Sequence, residues 1–209
     1  MKLGIAAILA GIALALPGRT YTANTTAAPA RNVVTSFSNK VPGKWAVLVE
    51  ADRLNTTARS EDIHCSAHTF PINFTQGFPA SVRETFPNVF AQVEDAEAAE
   101  GVRSAKARGV IQVRGENLQS RLKIVPGFWS NNVVVDVDMT VAVTVEGANG
   151  RLFGKTFDGR GRADRPVGMF CAGGAEAVKA AAEDAQRDVL RRIAEELANS
   201  ERVRSGRAG

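Results

Sequence analysis

The stretch from Val133 to Val145 constrains the fold of this chain more than any other. Val133, Val135, Val137, Met139, Val141, Val143 and Val145 occupy one parity, and Asp136, Asp138, Thr140, Thr144 and Glu146 occupy the other. Strict period two requires an extended strand with one buried face and one wet face. A slip of one residue would turn the whole Val row to solvent, so the stretch specifies its own register in any sheet it joins. Gly147-Ala148-Asn149-Gly150 reads as a hairpin turn, and Arg151 to Gly161 returns as the partner strand carrying Phe153 and Phe157.

The rest of the chain is organised around that hairpin. Val110 to Arg114 and Leu118 to Val125 read as two strands before it, Trp45 to Ala51 as a first strand, and Ile63 to Ala67 as a second short one. Phe74, Phe78, Val82, Phe86, Val89 or Phe90, and Val93 fall at helical spacing, with Pro87 expected to kink or divide the element. The Ala-rich run Glu94 to Arg108 is expected to continue that helix as far as Gly109. From Gly174 to Glu201, Ala175, Val178, Ala182, Ala185, Val189, Ile193 and Leu197 mark one face of a long helix. The expected fold is α+β, a two-layer sandwich of an antiparallel meander sheet with two helices packed on one face.

Residues 1–16, MKLGIAAILAGIALAL, carry one cation at Lys2, then an uncharged apolar run that Pro17-Gly18 breaks. A cationic start, a short apolar core and a breaker form the pattern of a secretory signal peptide. Leu3 to Leu16 as a helix reaches only about 21 Å, short of the roughly 30 Å hydrocarbon core of a membrane. The expected organisation is a signal peptide over 1–23, a linker or irregular arm over 24–43, one α+β domain over 44–201 and a frayed basic tail over 202–209. The location that follows is periplasmic, or peripherally associated with the cell envelope.

Export changes the reading of the two cysteines. In an oxidising compartment Cys65 and Cys171 have one intramolecular pairing open to them, and a disulfide is expected. Closing a loop of about 100 residues is worth roughly 4 to 5 kcal/mol by the chain-entropy argument.

The strand ending in Ala51-Asp52-Arg53, the meander VVVDVDMTVAVTVEGANGRLFGKTFDGRGR and the helix opened by Gly174-Ala175 together resemble the YajG-like family of bacterial outer-membrane lipoproteins, over roughly Trp45 to Val203. That resemblance implies a structural or accessory envelope role with no established chemistry, and it supplies no functional residues. Family members carry a lipid-modified Cys directly after the signal, whereas the first Cys here is Cys65.

Chemistry-bearing clusters are sparse. His64 and His68 flank Cys65 and would share a face on a strand, but a metal site needs a third ligand and the chain has no other His. No metal or cofactor is therefore expected, His64 and His68 being the only candidates. Phe128 and Trp129, in the loop after Pro126-Gly127, and Arg160 and Arg162 are the candidate partner-binding residues. Arg151, Lys155, Arg160, Arg162 and Arg165 give the hairpin a cationic excess suited to peripheral contact with anionic lipid. The net charge of +4 is mild and scattered, which argues against nucleic acid as a partner. The expectation is a non-enzymatic envelope accessory protein acting through contacts with an envelope protein partner. The alternative is a small-ligand or lipid-binding module with a cleft between the sheet and the long helix.

Overall fold

A computed structural model describes residues 20, 23–60, 65–96, 107–127 and 130–207. The chain runs β1 (Ala23–Asn24), β2 (Val41–Glu50), β3 (Asn55–Arg59), β4 (Thr69–Asn73), α1 (Gly77–Thr85), a 3-10 turn at Phe86–Asn88, β5 (Phe90–Asp95), β6 (Gly109–Val125), β7 (Asn132–Gly147), β8 (Gly150–Pro166), a 3-10 turn at Met169–Cys171, α2 (Ala172–Asn199) and α3 (Glu201–Ser205).

The Val row behaves as its period dictates. All seven of its members on β7 are buried at 0–1% exposure, facing α2, while Asp136, Asp138, Thr140 and Thr144 stay partly exposed on the opposite face. The strand pairs antiparallel with β6 on one side and with β8 on the other. Leu118–Val125 and Val110–Arg114 form a single strand rather than two, with Glu116 as a bulge between Gly115 and Asn117. The extra residue switches the buried positions from odd (Ile111, Val113) to even (Leu118, Leu122), so the same face of the bent strand stays on the core.

The five-stranded sheet has the order β5-β2-β6-β7-β8, so the expected meander is only part of it. β2 lies parallel to both β5 and β6. Its run Trp45-Ala46-Val47 is buried on both faces, and such strands read as continuous apolar stretches rather than as alternation. A smaller sheet, β1-β4-β3, joins the large one through a Ser60–Leu122 bridge. Thr20 bridges Thr69, and Ala23 pairs with Ile72, so residues at the end of the expected signal segment are paired with the domain.

The expected helix over Phe74 to Val93 separates into three pieces. α1 ends at Thr85, Phe86–Asn88 forms a 3-10 turn with Pro87 at its start, and Phe90–Asp95 is a strand. Pro87 cannot continue a helix, and Phe90 then packs against Trp45 at 5.5 Å and Phe86 at 5.8 Å between ring centroids. Glu94 and Asp95 are therefore strand residues, not a helix end; residues 97–106 lie outside the described residues. Cys65 also starts a turn, closed by the His68 N–H donating to the Cys65 carbonyl at 3.0 Å, where a strand was expected.

α2 lies antiparallel to β8 in backbone contact with it. A Cβ on Gly161 would run into the Ala181 carbonyl, and one on Gly159 into the Ala185 carbonyl and the Val189 side chain. The alanines of the helix and the glycines of the strand are two halves of one close approach, so the expected cleft between sheet and long helix is filled. Cys65 and Cys171 are joined by a disulfide, with their Cα atoms 6.1 Å apart, tying the turn before β4 to the start of α2.

Residues 25–40 have no regular structure yet are held along the helices. The N–H of Ala28 donates to Ser81 Oγ at 2.8 Å, that of Ala30 to Thr85 Oγ1 at 3.0 Å, and that of Ser36 to Asn199 Oδ1 at 2.7 Å. Gln186, fully buried on α2, donates to the same Ser81 hydroxyl and to the Gly77 carbonyl. The expected frayed tail is a short helix that buries Val203, and Arg204 lies over the Phe37 ring at 3.9 Å.

Gly161→Ala should cost roughly 2–3 kcal/mol by overpacking, seen as a melting temperature about 5–10 °C lower. Gly154→Ala, where a Cβ meets only the Arg151 side chain, should change it little. Replacing both cysteines by serine should cost about 4–5 kcal/mol in denaturant titrations.

Candidate binding face

Among the described residues, the helices cover one face of the large sheet and leave the other open along β6, β7 and β8. There a shallow hollow of about 760 Å³ is lined by Asn117, Gln119 and Arg121 on β6, by Asp136, Asp138 and Thr140 on β7, and by Asp158, Arg160 and Arg162 on β8. Register places acids on the central strand and cations on both flanks. Asp138 lies between Arg121 at 3.4 Å and Arg160 at 3.6 Å, Asp136 accepts from Arg162 at 3.3 Å, and the Thr140 hydroxyl donates to Asp158 at 2.8 Å. The contacts are long and use one guanidinium nitrogen each, and Arg160 and Arg162 are 81% and 70% exposed. Their remaining donors face solvent, so the ladder contributes little to stability and presents hydrogen-bonding groups outward.

The hairpin cations divide between the two faces. Arg160 and Arg162 belong to the open face, whereas Lys155 is of the other parity and pairs with Glu196 of α2 at 2.6 Å. Arg165 donates to the Asp164 carbonyl, and Arg151 stands 3.8 Å from Glu146. Phe128, Trp129 and His64 lie outside the described residues. His68 follows the Cys65 turn, and among the described residues no group of three or more His, Cys, Asp or Glu side chains is placed to hold a metal. No helix among the described residues is long and apolar enough to cross a membrane.

β8 forms one edge of the sheet, and sequence reading missed how that edge is treated. Asp188 of α2 reaches it: Oδ2 accepts the backbone N–H of Arg160 at 3.2 Å and Arg192 Nε at 3.1 Å, and Oδ1 accepts Arg191 Nη2 at 2.8 Å. Partial burial alone would raise this carboxyl's pKa. The Arg191 hydrogen bond, the Arg160 N–H and Arg192 outweigh it and hold the pKa below the usual 3.8. In the sequence Asp188 is an ordinary charged helix position, since only the packing of α2 on β8 brings it to the strand.

No family model matches the chain, and no curated protein does. It is similar to a Xanthomonas campestris protein of family DUF330 (13% identity, TM-score 0.47, covering 86% of this chain and 95% of that one). It is similar also to a minor lipoprotein from Acinetobacter baumannii (9%, 0.42, 74% and 90%) and to a neuraminyllactose-binding hemagglutinin homolog from Helicobacter pylori (11%, 0.43, 82% and 92%). One of the three is a bacterial lipoprotein, the class to which the sequence resemblance points, and none is YajG-like by name. At these identities and TM-scores the likenesses carry no part of the functional argument.

Asp188→Asn should cost about 1 kcal/mol at neutral pH, since the charged acceptor of three donors is lost. Because the folded-state pKa lies below the unfolded one, the native Asp188 contributes fully above pH 3.8, and the contribution fades as pH falls through the folded value. Urea titrations of both proteins from pH 7 downward should therefore converge in strong acid.

Proposed function

We propose that this protein is an exported, non-enzymatic accessory protein of the cell envelope, periplasmic or peripheral to it, working through contacts with an envelope protein partner. The observation that carries the reading is a large sheet whose face along β6, β7 and β8 is left open among the described residues and presents incompletely satisfied Arg121, Arg160 and Arg162 around an open hollow. Flat polar surfaces of this kind suit protein recognition, in which exposed arginines contribute orientation and specificity. The Cys65–Cys171 disulfide supports an oxidising compartment, and the apolar N-terminal run supplies the route to it.

Cell fractionation with N-terminal sequencing and thiol labelling tests location. The expected result is an envelope or periplasmic protein, cut near Ala23, whose two cysteines label only after reduction. A cytosolic chain that keeps Met1 and reacts with the label unreduced would overturn it. For the contact itself, Arg160→Glu with Arg162→Glu should abolish capture of the native partner from envelope extracts while leaving the melting temperature within about 2 °C, as for exposed pairs in general.

A further inference from the structure

We propose that the β8 edge from Gly154 to Asp158 receives an extended segment of a partner protein as an added strand, with acidic side chains on one face of that segment and apolar ones on the other. This rests on the protein-contact reading above and specifies its chemistry. The Arg160 N–H points away from β7, because it donates to Asp188. Antiparallel pairing alternates strictly, and no register shift interrupts β8 between Phe153 and Pro166. The N–H and C=O groups of Gly154, Thr156 and Asp158 therefore point away from β7 as well.

At Arg160 the edge is closed by Asp188; at these three positions no main-chain hydrogen bond is made among the described residues. All three residues are exposed. An uncovered row of this kind is a template for strand addition.

Charge and parity select the occupant. Side chains of an added strand alternate between the two faces of the sheet. On the open face they meet the exposed guanidiniums of Arg160 and Arg162, with Arg151 near the other end and Asp158 the one acid of β8 among them, already bonded by Thr140. On the helix face they meet the partly exposed Phe153, stacked 6.2 Å from the buried Phe157, and the stem of Lys155, whose ammonium is already paired with Glu196. An alternating acidic and apolar segment satisfies both faces at once.

The probe is a fluorescein-labelled decapeptide alternating Glu and Val, titrated by anisotropy into the mature protein, with a Lys and Val decapeptide as its counterpart. Saturable binding of the acidic peptide is expected, with the basic one weaker by about tenfold or more. Thr156→Pro removes an outward N–H without touching the β7 ladder, and should weaken binding about tenfold, whereas Thr156→Val should leave it within about twofold. Amide exchange should slow at Gly154, Thr156 and Asp158 when peptide is bound.

Equal binding by Thr156→Pro, or by the basic peptide, would overturn the proposal. So would a dimer in sedimentation that Thr156→Pro abolishes, since the occupant would then be a second copy. An extract protein captured equally by the wild type and by Thr156→Pro overturns the edge and leaves the protein-contact reading standing. If neither peptide nor extract protein binds, both fall.

Discussion

The packing of α2 on the Val row of β7 and the glycines of β8 is the constraint on which the remaining structure depends. The row offers a continuous apolar surface, and burying it requires a long element laid against it. Gly159 and Gly161 let the backbone of α2 come within touching distance of β8, and the helix answers with Ala181 and Ala185. Dispersion and desolvation are gained where the two backbones meet at Gly159 and Gly161 and the buried faces of α2 and β7 pack together. With α2 fixed there, its polar residues fall where they are used: Gln186 on Ser81 of α1, Asp188 on the β8 edge and Asn199 on the arm.

The same packing makes the molecule two-sided. The described helices and the arm pack together on one face of the large sheet, and the disulfide holds the start of α2 to the turn before β4. Along β6, β7 and β8 the other face is open among the described residues, with a ladder of Asp and Arg that adds little stability and so is available for recognition. Edge treatment is uneven in a comparable way, since Asp188 closes β8 at Arg160 and, among the described residues, no main-chain bond closes it at Thr156. Long open edges invite unwanted pairing, and a short opening beside a charged cap confines it.

Much of the sheet was legible because its signals are local. The β7 alternation, the hairpin at Gly147–Gly150, the long final helix and the Cys65–Cys171 pair all appear where the residues imply. What misled was spacing without context. Phe74, Phe78, Val82, Phe86 and Phe90 do fall at helical intervals, but Pro87 ends the helix and Phe90 belongs to a strand against Trp45. The arm gave no pattern to read, because its N–H groups are satisfied by side chains of Ser81, Thr85 and Asn199 rather than by a ladder.

The sequence by itself determined the class of fold, the register of the central hairpin and the one disulfide open to the chain. Each rests on periodicity, short-range turn chemistry or simple pairing, all of which survive without knowledge of neighbours. Only the tertiary structure decided that β2 runs parallel between β5 and β6, that Arg160 and Arg162 share an open face with Asp136 and Asp138, and that Lys155 does not. It alone brought Asp188 to the strand edge. The reason is that strand order and edge exposure are set by contacts between residues far apart in the chain, and no local pattern of side chains encodes which strand will be the neighbour.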